Sequence, residues 1–134
     1  MKRKLALALA VVILAGAIGA LAADLTQAGA EGRQAVLAPI DELDVLVQES
    51  FPPRYVVHVV AGLPSGCAQR DRHEVTREGN TITVTVWNTM PTGDVACTMI
   101  YGMYELNIDL GTDFQSGATY TVRVNDRTIT FVAQ

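Results

Sequence analysis

The chain has no lysine after residue 4, although it is 134 residues long. Beyond its first 22 residues, seven arginines stand against fourteen acids, so this part carries a net charge of −7. Proteins that bind nucleic acid or anionic lipid present clustered positive charge to the phosphates. The composition therefore argues against nucleic acid and against attraction to anionic membranes, and it predicts an acidic surface that keeps the protein soluble.

Motifs for catalysis and for metal binding are also missing. The nucleophile motif Gly-x-Ser-x-Gly does not occur. Zinc sites use closely spaced pairs of ligands, whereas His58 and His73 are far apart in the chain. A blue-copper loop needs a histidine between its cysteine and its methionine, and no histidine follows Cys97. The sequence therefore predicts no metal, no cofactor and no enzymatic activity.

A long apolar run occurs only at the N-terminus. Lys2, Arg3 and Lys4 precede the apolar residues 5–21, and Ala20-Leu21-Ala22 has the small-x-small pattern that signal peptidase recognises. We therefore expect residues 1–22 to be a secretory signal peptide. The run is almost long enough to cross a bilayer, so an uncleaved membrane anchor is the alternative. Both readings place the rest of the chain outside the cytoplasm, as a secreted, periplasmic or cell-surface protein.

The chain has two cysteines, Cys67 and Cys97. Two cysteines in an exported chain most often pair, so we expect a disulfide, with two free thiols as the alternative. Closing a loop of about 30 residues stabilises a fold by roughly 3–4 kcal/mol in the chain-entropy model. This is a large share of the net stability of a small domain.

The rest of the sequence is organised in short alternating segments. Residues 23–38 are rich in alanine and glycine and do not alternate, so we expect a flexible spacer there. From residue 39 the apolar residues recur with a period of two, and the clearest strand is TITVTVW at residues 81–87. We expect a loop over residues 88–95 and an extended segment over residues 97–110. The pattern gives seven or eight short strands without a long helix, which predicts a β-sandwich or a small barrel.

A stretch near the C-terminus makes this architecture more specific. Residues 114–124, FQSGATYTVRV, resemble the segment of fibronectin type III and immunoglobulin-like domains that ends in a tyrosine corner. Phe114, Gly117 and Tyr120 match that segment, and Ser116 stands where proline is commoner. The resemblance implies that the Tyr120 hydroxyl bonds back to the backbone and fixes a corner between two sheets. We therefore expect an immunoglobulin-like β-sandwich of seven to eight short antiparallel strands over residues 39–134.

A wider stretch, from residue 62 to residue 132, resembles a group of exported bacterial β-sandwich proteins of unknown function. The matching runs are GLPSGC, EGNTITVTVWN, ACTMIYG and the final TYTV strand. The group has two cysteines on either side of a hairpin. The resemblance implies export, a disulfide and a β-sandwich, and it carries no catalytic residue to this chain.

The charged run QRDRHE at residues 69–74 is open to two interpretations. Alternating charges suit a solvated strand edge, where ion pairs contribute about 0–1 kcal/mol. The alternative is that Arg70 and Arg72, on one face of an extended chain with Glu74, grip a carboxylate or sulfate on a partner.

Three aromatic residues are further candidates for recognition. Trp87 shares its strand face with the threonines, which predicts an exposed anchor for a partner; the alternative is that it covers the end of the core against the disulfide. Tyr101 and Tyr104 allow the same two readings.

These observations favour a non-enzymatic module that binds a protein or a glycan at the cell envelope through loops near the disulfide. A small secreted peptidase inhibitor that acts through its loops is the first alternative, and a structural envelope protein is the second. Architecture alone does not decide between them.

Overall fold

The strands described below belong to a computed structural model that describes residues 32–134. The predicted signal peptide and residues 23–31 of the predicted spacer lie outside the described residues. Eight strands follow in chain order: β1 (Arg33–Leu37), β2 (Ile40–Gln48), β3 (Arg54–Leu63), β4 (Gln69–Glu78), β5 (Thr81–Pro91), β6 (Gly102–Gly111), β7 (Thr119–Val124) and β8 (Arg127–Val132).

The strands form two sheets, which confirms the predicted all-β sandwich. The smaller sheet has the order β2-β3-β6 and is antiparallel. In the larger sheet β4 pairs with β5 along one edge, while β7 and β1 share the opposite edge of β5, and β8 pairs with β7. The β5–β7 pairing is parallel, unlike the others. No helix in residues 32–134 is long and apolar enough to cross a membrane.

β-branched residues from both sheets fill the space between them. Val57 and Val59 of β3 meet Ile82, Val84 and Val86 of β5, and all five are at most 1% exposed. Alternation explains this, because every second residue of a strand points to the same face. Each such side chain contributes about 1.5–3 kcal/mol by leaving water. An aromatic cluster of Tyr55, Phe114, Tyr120 and Phe131 extends the core at one end.

The prediction of a spacer over residues 23–38 is wrong for its last part, because residues 33–37 form β1. This strand pairs with residues 87–91 of β5. Arg33 fixes it in place by donating to the Thr89 side chain and to the Cys67 carbonyl oxygen. The described domain therefore includes residues 32–38 as well as residues 39–134.

The segment between β5 and β6 also differs from the expectation. β5 continues to Pro91, four residues into the predicted loop, because β1 and β4 both pair with its last part. Residues 94–100 have no regular structure, and β6 begins at Gly102 and not at Cys97.

The two sheets differ in width, and this difference positions the candidate site. At one side of the sandwich β2 lies against β8, so that both sheets end there together. At the other side the larger sheet extends one strand further, and all ten residues of β4 are exposed. The edge of β6 and the uncovered face of β4 therefore border an open groove.

Candidate functional site

The groove between β4 and β6, called the β4–β6 groove below, has a volume of about 400 Å³. It is lined by residues 70–73 of β4, by Val86 and Trp87 of β5, and by Tyr104 and Leu106 of β6. The structure thus brings four of the five candidate interaction residues together, namely Arg70, Arg72, Trp87 and Tyr104. Tyr101 lies elsewhere, at the end of the domain that holds the disulfide.

A β-bulge in β4 determines which way these arginines point. Arg70 pairs with Asn88 and His73 pairs with Val86, so Asp71 and Arg72 together oppose Trp87. Such a bulge changes the alternation of the strand by one residue. The prediction that Arg70 and Arg72 share a face is therefore wrong: Arg70 is paired with a core-facing position of β5, whereas Arg72 lies over Trp87.

Each arginine lies over an aromatic ring. The Arg70 guanidinium carbon is 4.8 Å from the centre of the Tyr104 ring, and that of Arg72 is 4.3 Å from the centre of the Trp87 ring. Such contacts are worth about 0.5–1 kcal/mol at exposed sites. Arg72 also pairs with Asp71 at 2.6 Å, whereas Arg70 has no acidic partner within the described part of the chain. The Arg70 guanidinium is therefore free to bind an anion.

Trp87 is half-buried beneath Arg72 and does not join either core cluster. It alternates with the buried Val86 and Asn88, so its side chain lies on the face of the larger sheet that points away from the core.

Tyr104 is held at the groove by a buried polar contact. Its hydroxyl donates to Asn88 Oδ1 at 2.6 Å, and Asn88 Nδ2 donates to the carbonyl oxygen of Gly62 at 2.8 Å. Burial raises the pKa of Tyr104 above its usual value, against the opposing effect of the Arg70 charge. Asn88 was missed because the sequence favoured a loop there, although it continues the alternation of Ile82, Val84 and Val86.

The disulfide end of the domain, made of residues 63–68 and 92–101, is the second candidate surface. Cys67 and Cys97 are bonded, with their Cα atoms 5.4 Å apart, which confirms the predicted pairing. Gly66 donates to the Thr98 carbonyl oxygen at 2.9 Å, and a side chain at residue 66 would collide with Thr98. Between these anchors and β6, Met99 and Ile100 are 89% and 71% exposed.

Tyr101 fastens the same loop to the smaller sheet. Its hydroxyl donates to the Asp41 carboxylate at 2.8 Å, and this hydrogen bond raises the pKa of Tyr101. The hydroxyl lies where a side chain on residue 62 would stand, so Gly62 permits the contact. Tyr101 is thus an anchor of the loop, with its ring half-exposed.

The three residues of the predicted corner lie together, and two of them, Phe114 and Tyr120, belong to the aromatic cluster. The Tyr120 hydroxyl accepts a hydrogen bond from the Gln115 backbone N–H at 2.8 Å. The Phe114 ring meets the Tyr120 ring edge-on, with centroids 4.9 Å apart. Gly117 has a φ of 81°, which favours glycine in the turn before β7. The corner is structural and stands apart from the groove.

The histidines do not approach one another. His58 lies on β3 beside the Asn107 side chain, and His73 lies on β4 at the groove. In residues 32–134 no three His, Cys, Asp or Glu side chains are grouped as metal ligands would be.

Comparison with known families places these features in context. A family model described as the ORF11 beta-sandwich domain matches residues 57–133, more than half of the chain. The match includes most of β3 and all later strands, so both sides of the β4–β6 groove lie within it. Searches of curated proteins and of solved structures gave no match.

Proposed function

The chain belongs to the ORF11 beta-sandwich domain family. We propose that it is an exported, non-enzymatic module that binds a protein or a glycan at the cell envelope. Its binding surface is the β4–β6 groove. The family match supports a β-sandwich, and the proposal adds export and recognition.

The observation that carries this proposal is that two arginines and two aromatic residues line one open groove. Arg70 lies over Tyr104 on the core-facing side of the larger sheet, and Arg72 lies over Trp87 on its other face. Arg70 and Arg72 bring positive charge to a domain in which the acids outnumber the arginines. Arginine, tryptophan and tyrosine are the residue types that most often carry binding energy at interfaces. A guanidinium held over an aromatic ring keeps its N–H groups directed outward, so it can bind a carboxylate or sulfate in a bidentate way.

A binding assay on envelope extract tests the groove. The full chain is immobilised, and partner capture is measured at increasing extract concentration for the wild type, for Arg70→Ala/Arg72→Ala and for the control Arg123→Ala/Arg127→Ala. We expect saturable capture that the groove variant loses and the control retains. Capture that does not saturate, or that is equal in both variants, would rule out the groove as the binding surface.

Export has its own test, the intact mass of the protein recovered from its native envelope or medium without reduction. Cleavage after residue 22 predicts a mass that corresponds to residues 23–134, two hydrogens lighter than the dithiol. A mass that includes residues 1–22 would mean that the protein is anchored in the membrane and not secreted. Recovery in the cytoplasm with two alkylatable thiols would contradict export.

The disulfide end favours a second candidate function, inhibition of a peptidase. Residues 94–100 form a segment without regular structure. The disulfide and the Gly66–Thr98 hydrogen bond on one side, and Tyr101 on the other, hold its exposed residues Met99 and Ile100. A peptide fixed in this way binds with little loss of conformational entropy. Assays against secreted cysteine and serine peptidases at micromolar protein test this, with Met99→Asp/Ile100→Asp as the variant expected to lose inhibition. An unaffected panel would eliminate this function.

A further inference from the structure

The unequal width of the two sheets points to the kind of partner that the groove takes. We infer that an extended acidic protein segment adds to the free edge of β6 and covers the inner face of β4. This inference rests on the proposed function, because it specifies the occupant of the same groove.

The first observation is that β4 and β6 each have a free edge. β6 pairs with β3 and β4 pairs with β5, and neither has a second partner strand within residues 32–134. The backbone N–H and C=O groups along a free edge can bind an added strand. A strand beside β6 would lie opposite β4 and make the two sheets equal in width at this side.

The second observation is the character of the β4 side chains that would face the added strand. Paired residues on neighbouring strands point to the same face. Arg70, His73, Val75 and Arg77 pair with Asn88, Val86, Val84 and Ile82, which are the buried residues of β5. The inner face of β4 thus continues the core-facing side of the sheet, and yet it is exposed and mostly basic.

The third observation is that both ends of this row reach toward the region beside β6. Arg70 lies over Tyr104 of β6, and Arg77 lies over Phe114, 4.5 Å from its ring centre, in the connection that follows β6. Neither arginine has an acidic partner in the described residues. Val75 lies between them and is 44% exposed. The row therefore complements a strand with acids at both ends and apolar residues between them.

The free edge of β6 and the exposed Val75 decide between an acidic protein segment and an acidic glycan. A uronate chain would satisfy the arginines, but it could not bond to the β6 edge as a strand, and it would leave Val75 exposed. The aromatic rings at the groove are already covered by arginine, which disfavours stacking of sugars. At about 3.3 Å per residue, the row from Arg70 to Arg77 spans roughly 20 Å of strand, with the bulge counted as one position.

The capped peptide Thr-Glu-Thr-Val-Thr-Val-Thr-Glu-Thr is a suitable probe, since it reads the same in both directions and places both acids and both valines on one face. We expect it to bind the full chain and to slow amide hydrogen exchange in residues 103–110 of β6. Arg70→Ala and Arg77→Ala should each lower the affinity about tenfold, the effect of losing a charge-assisted contact. Arg127→Ala on β8 should leave it unchanged.

Two altered peptides separate strand pairing from simple charge attraction. Lysine in place of glutamate should abolish binding. Methylation of the backbone nitrogens of all five central residues should abolish it as well, because the peptide then lacks donors toward β6 in either direction. The exchange measurement uses the wild-type protein, so it remains decisive if an arginine variant folds poorly. Binding that survives backbone methylation, or unchanged exchange in β6, would overturn the inference.

The outcome also separates this inference from the proposed function. If an oligogalacturonate binds through Arg70 and the peptide does not, the inference of a protein segment is wrong, but the groove is still a binding surface. If envelope extract contains no saturable partner of the groove, the proposed function itself falls.

Discussion

Asn88 connects the two sheets through hydrogen bonds rather than through apolar contact. It is fully buried, and its two side-chain bonds reach Tyr104 on β6 and Gly62 on β3. A buried amide is stable only when its polar atoms have partners, because an unpaired buried acceptor costs about 1–3 kcal/mol. The position of the Tyr104 ring at the groove therefore depends on a residue that no ligand would touch.

Tyr104→Phe should lower the free energy of unfolding by about 1–3 kcal/mol, since it leaves Asn88 Oδ1 without its donor. Tyr101→Phe is the matched control. It also removes a tyrosine hydroxyl bond, but the Asp41 carboxylate is accessible to water, so the loss should stay below about 1 kcal/mol. Urea denaturation of both variants measures the difference. Equal losses would show that the Tyr104–Asn88 contact is not a buried one.

The same two tyrosines predict how stability depends on alkaline pH. The Asp41 hydrogen bond raises the pKa of Tyr101, and burial raises the pKa of Tyr104. A raised tyrosine pKa means that the folded state holds the proton more tightly than the unfolded state does. The resulting stability is complete below the unfolded value of about 10 and is lost as the pH rises through the folded pKa.

Urea denaturation between pH 8 and pH 11 tests this dependence. The wild type should lose stability above about pH 10. Tyr101→Phe should lose less over the same interval, because it lacks the hydroxyl whose ionisation destabilises the folded state. If the free energy of unfolding falls equally with pH in both proteins, the pH dependence does not come from Tyr101.

The turn of the β7–β8 hairpin lies against β5, at the edge that β7 and β1 share. Asn125 in its turn has a φ of 51°, and its side chain donates to the carbonyl oxygens of Ala38 and Val86 and accepts from the Val86 N–H. It thus fills the place on β5 where β7 stops and β1 begins. The hairpin and β1 are held to β5 by the same side chain.

Asn125→Gly should destabilise the domain by about 2 kcal/mol, although glycine suits the backbone, because three hydrogen bonds are lost. Asp126→Gly, at the exposed next residue of the turn, controls for added chain freedom and should cost less than about 1 kcal/mol. Thermal unfolding of the two variants makes the comparison. A smaller effect at residue 125 than at residue 126 would refute the role of the side chain.

The disulfide joins the loop before β4 to the loop before β6. Cys67→Ser/Cys97→Ser should lower the free energy of unfolding by roughly 3–4 kcal/mol, because the unfolded chain regains the freedom of a 30-residue loop. A reductant should lower the stability of the wild type to that of the variant and leave the variant unchanged. If the reductant destabilises both equally, the effect does not come from this bond.

Across the whole domain, local patterns predicted what is local and missed what depends on distant pairing. Alternation predicted the core face of residues 81–87 because it reflects side-chain direction within one strand. It missed β1, whose five residues form a strand by pairing with β5 fifty or more residues later. The sequence predicted the residues of the groove one by one but not that they lie together. The bulge that turns Arg70 to the other face of β4 cannot be recognised from the charge pattern. The uncovered face of β4 likewise follows from the unequal widths of the two sheets.

The central claim, that the β4–β6 groove is the surface that meets a partner, is tested most directly by photo-crosslinking in the producing cells. A photoreactive phenylalanine analogue replaces Val75 on the inner face of β4 or, as the control, Leu46 on the outer face of the smaller sheet; both residues are 44% exposed. We expect a discrete crosslinked species from position 75 that Arg70→Ala weakens, and none from position 46. Crosslinking at position 46 alone, or equally at both positions, would contradict the claim.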